Sequence, residues 1–246
     1  MTVQVWLWIG TFGMSIGSLL LFFTMQKNRT TSEEGDSISH FLVPTIALTL
    51  YLLMALGHGS VALASGRTFY YARYVDWSIT TPLLLLSLVS SAVDGHAIKR
   101  VAMIAGLLLS DVYMILTGLV AGWTDDPSLK WWFYTVSCLS FLAIYGLLWG
   151  PFRQMSLTSS EPEKGANYRK KLPALTLVWL AYPIVFIVGQ EGLRLWSPVL
   201  DAAFYTCLDL IAKVLYGLWA ISLAKSVTPK DKDVLEGSGA RIAQGR

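Results

Sequence analysis

Charge is what this chain of 246 residues has least of: only 14% of them are Asp, Glu, Lys or Arg, against roughly a quarter in ordinary soluble domains. With 54% hydrophobic residues and a mean hydropathy of +0.53, the shortage excludes a disordered chain and argues against a water-soluble globule. A net charge of +3 is too small to suggest nucleic acid as a partner. Cysteine is scarce too. Cys138 and Cys207 both sit in apolar runs, so there is no disulfide framework of the secreted type and no CxxC metal spacing. Two packed core thiols are expected. The chain also begins without the basic segment of a signal peptide, and Trp6 and Trp8 read as interfacial anchors.

What is present is apolar length. A membrane-spanning helix needs about 20 mostly apolar residues. Seven stretches qualify, from about Val3 to Gln26, Ser39 to Ala64, Ala72 to Val93, Ile98 to Ala121, Lys130 to Trp149, Leu172 to Gln190 and Val199 to Ser226. The polar links between them, Lys27–Ser37, Ser65–Tyr71, Asp94–Ala97, Gly122–Leu129, Pro151–Lys171 and Glu191–Pro198, are mostly too short for another domain. The expected fold is an all-α membrane protein, a seven-transmembrane-helix bundle over residues 1–226, followed by a disordered polar tail, 227–246. Most Lys and Arg residues fall on the tail and on the links after the first, third and fifth stretches, whereas the opposite side has Arg67, Lys130 and Arg194. The positive-inside rule then places the N-terminus outside and the C-terminus in the cytoplasm, which requires an odd number of spans.

Against that background the charges inside the apolar stretches stand out, because ionisable groups in lipid are expensive and usually functional. They are Arg73 and Asp76 in the third stretch, Asp111 in the fourth, and Asp209 and Lys213 in the seventh. Asp209 and Lys213 are four apart and share a helix face, an arrangement that also suits a purely structural ion pair. The third stretch says more. Arg73, Asp76, Thr80 and Ser87 recur at helical spacing, which draws a polar track down one side of an otherwise apolar helix. Ser87 lies about 16 Å along the axis from Asp76. In the sixth stretch Trp179, Tyr182, Pro183 and Phe186 repeat at i, i+3, i+4 and i+7. Bulky rings gathered around one lysine would make a slot for a flat apolar ligand. A desolvated lysine readily forms a Schiff base with an aldehyde.

The strings RYVDWSITTPLLLLS, SDVYMILTGLV, VWLAYPIVFIVGQEG and LDLIAKV, in that order, resemble the microbial (type 1) rhodopsins, close to the bacteriorhodopsin-like proton pumps. The resemblance extends over all seven stretches. It implies all-trans retinal held as a protonated Schiff base on Lys213. It implies Asp76 as primary counterion and proton acceptor, Asp209 as second counterion, and Arg73 as the arginine that swings towards the outer exit. Tyr51 and Tyr182 would hydrogen-bond Asp209. Tyr74, Trp77, Thr80, Thr81, Leu84, Met114, Gly118, Trp179, Tyr182, Pro183 and Phe186 would line the retinal pocket. Tyr134, with Ser137 beside it, would stand in for the family's pocket tryptophan, a shift of register to Trp132 being the alternative. Asp111 would be a carboxyl group bonded across to Thr81, and Glu191 with Asp201 would form the outer proton-release pair. Leu84 and Gly118 point by analogy to green absorption.

The chain departs from the pumps at Ser87, where they usually carry a carboxylic acid that returns a proton from the cytoplasm. A serine hydroxyl is too weak an acid for that, so slow reprotonation from cytoplasmic water or another group is expected. The resemblance thus implies a light-driven outward proton pump of the plasma membrane, an ion transporter rather than an enzyme, in contact with lipid and protons. The family often forms trimers or pentamers. The alternative is a sensory photoreceptor acting through a transducer, since many of those also lack the cytoplasmic acid. Asp209 argues against the xenorhodopsin-like inward pumps, which commonly have proline there, and Asp76 argues against a halide pump. The helix histidine that partners the counterion in proteorhodopsin-like pumps falls on Leu50 here, so that partner is missing. His40 and His96 are expected to be solvated near the cytoplasmic ends of the second and third stretches, with a role in proton uptake as the other reading. His58 is expected on the outer half of the second stretch as a packing residue.

Overall fold

The computed structural model describes residues 1–27, 34–92 and 98–225. The tail 227–246, and His96 with the rest of the Asp94–Ala97 link, lie outside the described residues. Seven rods cross the molecule. They are α1 (Val3–Lys27), α2 (Glu34–Ala55), α3 (Tyr71–Ser90), α4 (Ile98–Trp123), α5 with α6 (Pro127–Leu147 and Arg153–Leu157), α7 (Pro162–Val188), and α8 with α9 (Pro198–Asp209 and Tyr216–Lys225). Each packs on its neighbours in sequence, and α1 also packs on α8, so the ring of helices closes. Among the described residues, six rods are long and apolar enough to cross a membrane. The seventh, α3, carries the polar track, and it turns Arg73, Asp76, Thr80 and Ser87 inward, all buried. The chain is a seven-helix membrane bundle.

Local chemistry sets several boundaries. Asp126 caps α5 by accepting from the Ser128 and Leu129 amides at 2.8 and 3.1 Å, with Pro127 at the first helical position. Ser197 and Pro198 start α8 in the same way. Two rods are widened by a π turn. Leu148–Phe152 joins α5 to α6 around Pro151, and the carbonyl of Leu148 accepts from the Tyr168 hydroxyl at 2.6 Å. Leu210–Leu215 joins α8 to α9 and contains Lys213.

Two expected boundaries are corrected. The second helix stops at Ala55, not Ala64. Gly57, Gly59 and Gly66 have φ of 86°, 70° and 78°, values that glycine tolerates and a continuing helix does not. They shape a hairpin in which β1 (Val61–Ala62) pairs antiparallel with β2 (Thr68–Phe69). His58 therefore sits exposed in the turn rather than on the helix. The long link Pro151–Lys171 is mostly helix, because α6 and the first turns of α7 occupy it. The hairpin marks one end of the bundle, called the hairpin end below. It is held down by Asp125, which accepts from the Ser65 amide and hydroxyl at 3.1 and 2.8 Å and lies 3.9 Å from Arg67 and 3.6 Å from Arg194.

Candidate functional site

Lys213 lies in the middle of the bundle with its side chain 2% exposed. Its ammonium donates to Asp76 Oδ2 and stands 3.3 Å from Asp209 Oδ1. The two carboxylates are held differently. Asp209 accepts from the Tyr51 hydroxyl at 2.8 Å, the Tyr182 hydroxyl at 2.8 Å and the Trp77 indole at 3.1 Å. Asp76 has no such cradle: its Oδ1 has no hydrogen-bond partner among the described residues, and the Thr80 hydroxyl bonds its backbone carbonyl at 2.9 Å. One carboxylate is saturated by fixed donors, and the other has lone pairs to spare.

On the other side of Lys213 is an apolar cavity. It is lined by Tyr74, Trp77, Thr81, Leu84, Met114, Gly118, Tyr134, Ser137, Trp179, Tyr182, Pro183 and Phe186, and also by Ile115, Cys138, Phe141, Tyr205 and Ala212. Lined almost entirely by apolar atoms and reached by Lys213, it suits a conjugated apolar aldehyde condensed with Nζ. Tyr134 donates to the carbonyl of Pro183 at 3.0 Å and stacks on Phe186 with ring centroids 4.8 Å apart. Trp132 is 66% exposed, so that register is excluded. Thr80, expected in the lining, is not in it, since its hydroxyl is turned back onto its own helix. Tyr51 and Asp111 also stay outside. Tyr51 reaches the site through Asp209, and Asp111 accepts from Thr81, a lining residue, at 2.7 Å. The two cysteines are not packed core thiols. Cys138 is half-buried against the cavity and Cys207 is exposed on the outside of the bundle.

Towards the hairpin end a chain of charges continues. Arg73 lies 3.4 Å from Asp201 and is sandwiched by Tyr205 and Tyr70, 4.5 and 5.1 Å from their ring centroids. Asp201 also accepts from the Gln190 amide at 2.9 Å and the Trp196 indole at 3.3 Å. Glu191 accepts from the Tyr205 hydroxyl at 2.8 Å. Burial, reinforced by the nearby Asp201 carboxylate, pushes the Glu191 carboxyl above its ordinary value. The two acids thus have separate donors within one buried cluster. Towards the other end the track leads past Leu84 to Ser87, whose hydroxyl is 2.8 Å from His40 Nε2. His40 was expected in solvent but is completely buried. Nothing in the local sequence signals that contact, because the partners are 47 residues apart.

The family model described as bacteriorhodopsin-like protein matches residues 1–227. A bacteriorhodopsin of Haloterrigena sp. (strain arg-4) is 34% identical over 221 residues, covering 87% of this chain and 85% of that relative. Among solved structures, a thermophilic rhodopsin from Rubrobacter xylanophilus superimposes with a TM-score of 0.85 at 35% identity, over 90% of this chain and 96% of that one. The Coccomyxa subellipsoidea rhodopsin, titled a light-driven proton pump, gives 0.80 at 30% identity, over 90% and 96%.

Proposed function

The chain belongs to the bacteriorhodopsin-like family, and from that premise we propose that it is a light-driven outward proton pump of the plasma membrane, with all-trans retinal carried on Lys213. Joined to Nζ as a Schiff base, retinal would supply a chromophore that isomerises in light and changes the basicity of that nitrogen. The lining residues would hold and shield it, with Trp77, Trp179, Tyr182, Tyr134 and Phe186 as flat walls.

The observation that carries the reading is the unequal pair of carboxylates at Lys213. A proton leaving Nζ has Asp76 as its acceptor, because Asp76 is hydrogen-bonded to Nζ and has an open Oδ1. Asp209, engaged by Tyr51, Tyr182 and Trp77, remains as the fixed negative charge. From Asp76 the next charged groups in line are Arg73, Asp201 and Glu191, all towards the hairpin end. The distribution of basic residues puts that end outside. A proton gained at Asp76 removes its negative charge and with it the pull on Arg73, which would let the Glu191–Asp201 cluster give up a proton to the outer water.

The test is to add retinal to cells making the protein and illuminate them without buffer. The medium should acidify, and a protonophore should abolish the change. Lys213→Ala should remove the colour. Asp76→Asn should keep a pigment but stop transport. A second reading is favoured by Ser87, the place of a carboxylic acid in most pumps: a coloured, photocycling protein that moves no protons would be a sensory photoreceptor.

A further inference from the structure

The half of the bundle away from the hairpin holds a buried polar pair that the proposal above leaves unused. His40, on α2, is fully buried and lies 2.8 Å through Nε2 from the hydroxyl of Ser87, itself 3% exposed. The imidazole packs against α9, where a side-chain carbon at Gly217 would make ordinary contact with His40 Nδ1 at 3.5 Å, and the ring meets Tyr216 edge-on with centroids 5.9 Å apart. His40 precedes Tyr51 by eleven residues and Ser87 follows Asp76 by eleven, so each stands about three turns, or about 16 Å, from the groups around Lys213. The pair therefore lies between the lysine and the far end of the bundle.

Imidazole is the side chain whose charge changes nearest neutral pH, and its two nitrogens let it take a proton on one and release a proton from the other. A buried histidine is costly unless its polar atoms are bonded, and a leucine or phenylalanine would fill this space without that cost. His40, bonded to Ser87 through one ring nitrogen, is placed to pass a proton along the polar track.

We propose that His40, hydrogen-bonded to Ser87, is the internal relay that returns a proton to Lys213 Nζ from the cytoplasmic end, in the place of the missing carboxylic acid. The inference rests on the pump reading. In each cycle the imidazole gives up one N–H proton that ends on Nζ and takes one from water at the end of the bundle. A proton passing through Ser87 leaves its hydroxyl unchanged, and no electrons change hands.

The experiment uses the full chain with retinal in lipid vesicles and follows the return of the proton to Nζ after a flash, with and without azide as a diffusible proton carrier. In the wild type, azide should change the return little. His40→Gln keeps a group able to bond Ser87 but cannot carry the proton. It should slow the return about a hundredfold, and azide should restore it. A readout independent of the photocycle is nitrogen NMR of the imidazoles in the dark. One hydrogen-bonded ring should vanish in His40→Gln and shift in Ser87→Ala. The relay is overturned if His40→Gln returns its proton at the wild-type rate, if azide accelerates the wild type as much as the variant, or if Ser87→Ala leaves every imidazole signal in place. A wild type that returns its proton through His40 yet never acidifies the medium would instead overturn the pump reading.

Discussion

Glu191 shows how much a single side chain owes to its surroundings. It lies just past the end of α7 and looks like an ordinary loop acid, yet it is 4% exposed and bonded to Tyr205. Burial and the Asp201 carboxylate both favour its protonated form. Above the ordinary glutamate range it therefore still holds a proton in the folded protein, whereas the unfolded chain has lost it. Folding stability falls as pH rises through that interval, since the native state binds the extra proton. On the pump reading, the same interval is where a flash should expel that proton. A pH-sensitive dye should see a fast release at pH values where free glutamate is ionised. The release should disappear at higher pH, where Glu191 is already ionised in the dark. Glu191→Gln should show no fast release at any pH. A fast release that persists in Glu191→Gln would assign it to another group.

Among the elements, α1 is the one whose role is least visible in its own sequence. It carries no charge in its membrane span and no residue of the cavity, yet its glycines set how closely it approaches α2 and the rod formed by α8 and α9. A side-chain carbon at Gly10 would collide with the ring of Tyr51, one at Gly13 would come within 2.6 Å of the Leu210 side chain, and one at Gly17 within 3.1 Å of Val214 Cβ. Leu210 and Val214 belong to the π turn that holds Lys213, so α1 braces the lysine from behind. Membrane helices use small residues for such close contacts. Gly17→Ala should therefore lower the thermal bleaching midpoint of the pigment, with a loss of about 1–3 kcal/mol. Gly146→Ala on α5, which has open space around it, should leave the midpoint unchanged or raise it slightly. Equal effects at both positions would mean that helix propensity, not packing, governs the result.

For the molecule as a whole, direction follows from topology. Asp76, Arg73, Asp201 and Glu191 lie in sequence towards the hairpin end, and Ser87 and His40 lie towards the other. Transport should therefore have a fixed sense relative to the chain. Illumination should acidify the medium of intact cells and make the medium of inverted vesicles alkaline, at the same wavelengths. Acidification in both preparations would contradict a vectorial path through the bundle.

The sequence by itself determined the seven rods, the membrane setting and the charges placed inside the bundle. Those features rest on local regularities: runs of apolar residues long enough to span lipid, basic residues sorted to alternate links, and charges spaced by three or four on α3 and on the α8–π turn rod. Asp209 and Lys213 had to share a face because four residues make about one turn. Only the tertiary structure decided which apolar residues face the cavity and which face lipid. Hydropathy cannot separate them, since both environments are equally greasy; this is why Cys207 proved exposed and Trp132 proved to lie outside the pocket. The end of α2 was written in Gly57, Gly59 and Gly66, but their backbone angles are a property of the hairpin that they form. His40 is the sharpest case. Its contact with Ser87 depends on the packing of α2, α3 and α9 around Gly217, and no spacing along the chain encodes the meeting of three helices.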